Sequence, residues 1–253
     1  MKPSFSSRVV NWYKRNAAVP VFRRSISVRL SAPLISFTFD DFPQSALRIG
    51  GAILNNHDVC GTFYVSLGLL DTDAPAGRLC TLEDVTATVR AGHELGCHTY
   101  SHCHSWNTDS REFEAALTKN RQALGRIVPG ASFRSFSYPI ALPRPSVKRV
   151  CAQHFSSCRA GGQIFNAGST DLNQLSAFFL EKVGGDIQPV EKIIEQNNSA
   201  KGWLIFATHD VCSQPSPYGC TTEFFREVVQ YAVDSGARIL PVAQALDVIR
   251  RSA

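Results

Sequence analysis

Short apolar runs alternate with amphipathic stretches along this chain from residue 35 onward. The runs are rich in β-branched and aromatic side chains, which predicts buried strands. They cover residues 35–39, 61–65, 92–98, 133–138, 156–160, 203–208 and 237–240. The stretches between them repeat apolar positions at helical spacing, which predicts helices over 45–56, 81–91, 109–127, 145–154, 189–196, 221–235 and 242–250.

Strands that alternate with helices in this way favour parallel pairing through right-handed crossovers. Seven such units in one chain indicate a closed or nearly closed β/α barrel rather than an open sheet. No repeat, low-complexity tract or internal linker interrupts the pattern, so residues 31–253 are predicted to form one domain. Residues 1–30 are predicted to be a basic N-terminal extension.

Three of the predicted strands end at groups that can carry charge. The first ends at Asp40 and Asp41, another ends at His98 with His102 four residues later, and the strand over 203–208 ends at His209. In a β/α barrel the C-terminal strand ends meet at one rim, so these side chains are predicted to share a site. For an isolated pair of Asp residues, a turn cap that accepts local amides is the simpler explanation.

The spacing of His98 and His102 fits a shared cation. On a helix or a single turn, positions four apart place two imidazoles on one face. Two imidazoles and a carboxylate form a common catalytic zinc set that leaves one position for water. His104 is an alternative ligand or a solvated side chain, and thiolate ligation by the flanking Cys97 or Cys103 is a weaker alternative.

Charge sets the amino terminus apart from the rest of the chain. The 253 residues carry a formal net charge of +5, and much of the excess lies before residue 30. The remainder is near neutral, so nothing indicates a nucleic-acid groove. Basic residues interrupt every candidate secretory signal, and no stretch reaches the roughly 18 apolar residues of a membrane span. A plain terminal extension is the simplest interpretation; peripheral contact with an anionic membrane is the alternative.

The cysteines indicate the cellular compartment. Eight of them are spread through a long chain, and none belongs to a Cys-x-x-Cys pair. This distribution predicts reduced thiols that pack as small apolar side chains. A cytoplasmic protein is therefore expected.

Four blocks of the sequence resemble the polysaccharide deacetylases with a NodB-homology domain, carbohydrate esterase family 4. The blocks are Thr38-Phe39-Asp40-Asp41, the run from Gly92 to His102, Phe136-Ser137-Tyr138-Pro139, and the run from Leu204 to Asp210. They occur in the family's order, and the resemblance covers roughly residues 33–250. It implies a distorted (β/α)7 barrel, which agrees with the alternation of strands and helices.

The resemblance also implies a reaction and a role for each residue. The family uses a divalent metal to remove acetyl groups from amino sugars, and less often from O-acetylated sugars. By position, Asp40 matches the general base, His209 the general acid, and Asp41, His98 and His102 the metal ligands. Zinc is the expected metal, and an acetylated poly- or oligosaccharide is the expected substrate.

Two departures from the family pattern concern the base. Phe42 stands where the family usually has Gly, and Ser137 stands where the family commonly has an Arg that orients the base. Arg159, at the end of another predicted strand, or Arg134 would have to replace it, unless both arginines are structural. The backbone N–H of Ile140 is the expected oxyanion donor.

Two other functions are compatible with these residues. One is a catalytically silent carbohydrate-binding protein on the same barrel. The other is a metal hydrolase that acts on a different small amide, because the same apparatus would serve it. The joint presence of a base, three ligands and an acid favours the deacetylase.

Overall fold

Parallel pairing of short buried strands forms a curled sheet at the centre of the molecule. The computed structural model describes residues 5–252. In chain order its strands are β1 (Ser25–Val28), β2 (Leu34–Phe39), β3 (Thr62–Val65), β4 (Asp73–Ala74), β5 (Gly77–Arg78), β6 (Glu94–Cys97), β7 (Ser135–Ser137), β8 (Ser157–Arg159), β9 (Gly168–Asp171), β10 (Phe178–Phe179), β11 (Trp203–Thr208) and β12 (Arg238–Ile239). The main sheet runs in the order β10-β11-β2-β3-β6-β7-β8, and β12 pairs with the start of β2.

Helices connect these strands. They are α1 (Phe5–Asn16), α2 (Ala52–Asn55), α3 (Leu82–Arg90), α4 (Ser110–Ile127), α5 (Pro145–His154), α6 (Gln188–Ala200), α7 (Thr222–Asp234) and α8 (Val242–Ser252). Thr81 and Asp84 form a capping box at the start of α3. The helix predicted over 45–56 is instead a π-helical stretch, Ala46–Gly51, that continues into α2. Gly50 permits this close packing, because a Cβ there would lie 2.8 Å from the ring of Phe39.

The two central strands, β2 and β11, fix the register of the sheet. Both are six residues long and fully buried, and they pair in parallel from Leu34 opposite Trp203 to Phe39 opposite Thr208. The pairing extends one residue further, because the N–H of Asp40 donates to the carbonyl of Thr208 at 2.9 Å. Residues that follow the two strands therefore emerge side by side.

A non-helical segment connects β8 and β10, the two end strands of the curled sheet. The N–H of Cys158 in β8 donates to the carbonyl of Leu172 at 2.7 Å, and the N–H of Leu175 donates to the carbonyl of Cys158 at 2.8 Å. Strand β10 follows a few residues later. The predicted distorted (β/α)7 barrel is confirmed. No helix among residues 5–252 is long and apolar enough to cross a membrane.

Part of the basic N-terminal segment packs on the barrel. Strand β1 pairs antiparallel with β9, and the guanidinium of Arg24 donates to the carbonyls of Phe155 and Ser156 at 2.9 Å each. Fully buried Lys148 donates to the carbonyl of Ala18 at 2.7 Å and forms a 2.6 Å ion pair with Asp171. The division of the chain at residue 30 stays a prediction.

Lys148→Met should lower the free energy of unfolding by about 3 kcal/mol, because it leaves the carboxylate of Asp171 without its buried cation. Trypsin should then cut more rapidly at Arg23 and Arg29, which flank the docked segment. Urea denaturation and timed proteolysis measure the two effects. Lys192→Met is the control, since it removes an exposed lysine; equal stability losses in both variants would contradict the assignment.

Candidate active site

The C-terminal ends of β2, β6 and β11 open into one cavity of about 560 Å³. Its lining includes the five residues predicted to act as base, acid and metal ligands: Asp40, Asp41, His98, His102 and His209. Ile140, the predicted oxyanion donor, also lines it. The structure thus brings together all of the predicted site residues that were expected at the rim.

Asp40 and Asp41 reach the same cavity because the backbone twists immediately after β2. Asp41 and Phe42 have φ values of 58° and 51°, in the left-handed region that is unfavourable for residues with a side chain. Phe42 occupies a position where the family that this sequence resembles usually has Gly. Its side chain is fully buried, and its ring centroid lies 4.9 Å from that of Phe63. Burial of this ring offsets the backbone strain, which explains how a large residue occupies a position suited to Gly.

Three donor atoms converge next to this turn. Asp41 Oδ1 lies 3.3 Å from His98 Nε2 and 3.2 Å from His102 Nε2. Ligand atoms of the three residues all lie within 4.8 Å of one another. Asp41 Oδ1 is buried and has no hydrogen-bond partner. His98 Nδ1 lies 2.8 Å from the carbonyl of Ser137, and donation by this nitrogen leaves the Nε2 lone pair directed at Asp41. This arrangement fits a divalent cation, because ligating imidazoles are commonly held through their second nitrogen.

Charge balance within this cluster agrees with that role. Burial raises the pKa of Asp41, but the two adjacent imidazoles hold it well below its ordinary value. Burial lowers the pKa of His102, but the neighbouring carboxylate of Asp41 raises it overall. An ionised carboxylate therefore lies between two imidazoles, which is the set of groups that a divalent cation would bind.

The backbone between the two histidines differs from the expected stacked turn. Thr99 and His102 have φ values of 63° and 53°, and the N–H of Cys103 donates to Thr99 Oγ1 at 2.8 Å. The imidazole centroids nevertheless lie 5.0 Å apart. An irregular loop, rather than a helical face, produces the close approach.

The alternative ligands lie outside the cluster. Cys97 is the buried last residue of β6. Asn120 Nδ2 of α4 lies 3.2 Å from its sulfur, and burial raises the pKa of its thiol to about 12. Cys103 contacts Ser101, 3.3 Å away. Among the described residues, His104 and both cysteines are absent from the group that could hold a metal.

Arg159 supplies a cation beside Asp40. Its guanidinium, 1% exposed, contacts Asp40 Oδ1 and donates to Ser137 Oγ at 2.6 Å. Burial raises the pKa of Asp40, but Arg159, together with His98 and His209, brings it below its ordinary value. Asp40 is therefore held ionised.

The other candidate arginine is engaged elsewhere. Arg134 forms a bidentate pair with Asp247, at 2.6 and 2.8 Å, in a part-exposed position. Of the two arginines considered from the sequence, only Arg159 contacts Asp40.

His209 is oriented by the backbone rather than by its neighbour Asp210. His209 Nδ1 lies 3.1 Å from the carbonyl of Tyr218. The carboxylate of Asp210 instead accepts from the N–H and Oγ of Ser216, at 2.7 and 2.5 Å, and so fixes the loop that carries Tyr218. Asp210 positions His209 only through this loop.

Sequence reasoning missed Glu181, which also lines the cavity. It follows β10, a two-residue strand with no motif to mark it. Its Oε2 atom is buried without a hydrogen-bond partner, and burial raises the pKa of this carboxyl. The sequence signal that could have found it is an acidic residue directly after the apolar run Ala177–Leu180.

Comparison with known proteins assigns a family to this site. The sequence model of the polysaccharide deacetylase family matches residues 27–154, just over half of the chain. The match includes Asp40, Asp41, His98 and His102, and it ends before Arg159 and His209. Among curated proteins, none matches the sequence closely enough to count as a relative.

Solved structures resemble the whole barrel at low sequence identity. The Xyl-CE4 domain of a multidomain xylanase from the hindgut metagenome of Trinervitermes trinervoides is 17% identical, with a TM-score of 0.62 over 88% of this chain and 92% of that chain. A cobalt complex of a family 4 acetyl xylan esterase from Clostridium thermocellum is 18% identical, with a TM-score of 0.58 over 83% and 89%. A mutant of a peptidoglycan deacetylase from Bacillus subtilis is 15% identical, with a TM-score of 0.58 over 88% and 94%. These similarities establish the fold.

Arg159→Met should lower the free energy of unfolding by about 3 kcal/mol, because it leaves the carboxylate of Asp40 buried without its cation. Arg134→Met is the matched control, which breaks a part-exposed pair and should cost less than about 1 kcal/mol. Adding Asp40→Asn to Arg159→Met should recover part of the loss. Urea denaturation measures the free energy of unfolding of all three variants. Equal losses of stability in the two arginine variants would contradict a stabilising role for the pair of Arg159 and Asp40.

Divalent zinc should bind at Asp41, His98 and His102. His102→Asn should weaken zinc affinity by at least about 100-fold. Replacing a residue that only hydrogen-bonds to a metal ligand already weakens metal affinity roughly 10- to 100-fold. This histidine is 29% exposed, so its replacement should leave the fold intact. Calorimetric titration of the chelator-treated protein gives the dissociation constants. His104→Asn is the control, and an equal loss there would place the metal elsewhere.

Proposed function

This chain belongs to the polysaccharide deacetylase family, and we propose that it is a metal-dependent hydrolase that removes acetyl groups from N-acetylated sugars of a poly- or oligosaccharide. One observation carries the proposal: a carboxylate held ionised by Arg159 lies in the same cavity as the Asp41, His98 and His102 cluster and His209. Zinc is the proposed metal, because two imidazoles and one carboxylate leave it an open position.

Asp40 is the proposed general base. A divalent metal held by Asp41, His98 and His102 would act as a Lewis acid on the acetyl carbonyl and lower the pKa of water. Asp40 does not belong to that cluster, so its carboxylate stays free to take a proton from the attacking water. The guanidinium of Arg159 keeps Asp40 ionised and holds its orientation.

His209 is the proposed general acid. With its Nδ1–H donated to the carbonyl of Tyr218, its Nε2 can deliver a proton to the leaving nitrogen. An amine is a poor leaving group, so an amide substrate requires this proton more than an ester does. The backbone N–H of Ile140, at the wall of the cavity, is the proposed donor to the oxyanion.

The mouth of the cavity suits a sugar ring. Tyr218 and Ile140 line it and remain about half exposed. Apolar and aromatic surfaces of this kind pack against the C–H faces of sugars. By contrast, Tyr138 is buried in the core, where its hydroxyl donates to the carbonyl of Asn173. Tyr218 is therefore the proposed platform for the substrate.

A cytoplasmic location is also proposed. It is supported by the eight cysteines, which are free. Buried Cys97 and Cys158 have thiols whose pKa burial raises to about 12, which makes them unreactive small apolar side chains.

Asp40→Asn should reduce acetate release from chitooligosaccharides by at least roughly 100-fold, because it removes the base, while zinc affinity stays unchanged. Enzymatic acetate determination and titration calorimetry measure the two quantities. Asp58→Asn makes the same chemical change at an exposed position and is the control.

Three other outcomes would redirect the proposal. Acetate release from acetylated xylo-oligosaccharides alone would indicate an esterase. Sugar binding without turnover would indicate a silent binding protein. Turnover of small formyl or cyclic amides alone would indicate a different hydrolase.

A further inference from the structure

The excess positive charge of this protein lies in its first 39 residues. They contain seven Lys and Arg residues and no Asp or Glu, whereas the remaining residues carry 19 basic and 21 acidic side chains. The body is thus slightly acidic and its amino-terminal segment strongly basic. Such a division favours contact of that segment with an anionic surface.

The same segment concentrates exposed apolar side chains. Of the ten large apolar residues that are exposed among those the structure describes, five lie between residues 10 and 22: Val10, Trp12, Tyr13, Val19 and Phe22. Trp12 is 66% exposed, the highest fraction of the ten. Aliphatic and aromatic side chains beside basic ones are typical of segments that lie in a membrane interface.

Helix α1 contacts the barrel at a loop beside the cavity. The rings of Tyr13 and Trp106 lie 5.7 Å apart, and Lys14 Nζ lies 5.8 Å from the ring of Trp106. Trp106 follows β6 in the same loop as His102, a residue of the metal cluster. Helix α1 therefore lies beside the loop that forms one wall of the proposed active site.

We propose that residues 12–23 form a docking surface for the face of an anionic phospholipid membrane. Lys14 and Arg23 would contact lipid phosphates, while Trp12 would enter the interface. Contact with a second copy of this chain is disfavoured, because the two segments would repel each other. A soluble polyanion would satisfy the basic residues and leave the aliphatic side chains exposed.

Docking by this surface would bring the mouth of the cavity close to lipid headgroups. A substrate attached to lipid, or a polymer lying against the membrane, would then reach the site without leaving the surface. The docking surface is inferred from charge and exposure alone, so its test does not depend on the deacetylase proposal.

The test is sedimentation of the full-length protein with phosphatidylcholine vesicles, with and without phosphatidylglycerol, at low and high salt. Wild-type protein should bind only the anionic vesicles, and salt should weaken the binding. The double variant Lys14→Glu/Arg23→Glu should lower the partition coefficient by roughly tenfold or more. Trp12→Ser should lower it as well. Tryptophan emission of the wild-type protein should shift to shorter wavelength on binding, and this shift should be lost in Trp12→Ser.

Matched controls change the same chemistry elsewhere on the surface. Lys192→Glu/Arg226→Glu makes an equal change of charge at exposed positions, and Ile164→Ser removes an exposed apolar side chain. Both should retain wild-type binding. Acetate release from soluble chitooligosaccharides should be unchanged in every variant, which separates failure of docking from failure of catalysis.

Four results would overturn the docking surface. They are absence of wild-type binding, equal binding to neutral vesicles, equal losses in the control variants, and equal affinity for a soluble polyanion such as heparin. Self-association that Trp12→Ser abolishes would assign the surface to a second copy instead.

Discussion

Parallel pairing between β2 and β11 determines where the chemistry of this protein takes place. The two strands are buried over six residues each, and their register carries Asp40 to the carbonyl of Thr208. A slip of one residue would turn every side chain of a strand to its opposite face. Asp40 and His209 would then no longer reach one cavity. The apolar residues that hold the sheet together are therefore also the residues that align the proposed base and the proposed acid.

Polar groups at the end of β2 are stabilised by contacts that originate far along the chain. The left-handed backbone at Asp41 and Phe42 costs roughly 1–2 kcal/mol per residue, and burial of the Phe42 ring contributes roughly 2–3 kcal/mol in return. The carboxylate of Asp40 is neutralised by Arg159 from β8. The site thus depends on core packing for its shape and on one distant strand for its charge balance.

Apolar periodicity predicted most helices and the main strands of the barrel, because those elements bury long and regular faces. It missed β1, β9 and β10, since these short strands form only through pairing with distant residues. It also missed the small hairpin of β4 and β5, because strands of two residues are too short to show a period.

Within the site, the strand ends identified the residues that share the rim, since that follows from topology. Sequence could not decide between Arg159 and Arg134, because the choice rests on which strand end faces Asp40. Nor could it find Glu181, whose position at the cavity follows from the path of the chain after β10 rather than from a motif.

Arg159 changes what should count as a signature of this site. Ser137 stands where the resemblance leads one to expect an arginine. The guanidinium beside Asp40 instead comes from Arg159 on the adjacent strand, opposite Ser137, which accepts its hydrogen bond. Either of two neighbouring strands can therefore supply the same charge, and one such change looks like two unrelated substitutions when sequences are compared by position. Classification of such sites as active or inactive needs the electrostatic partner of the base, whichever strand carries it.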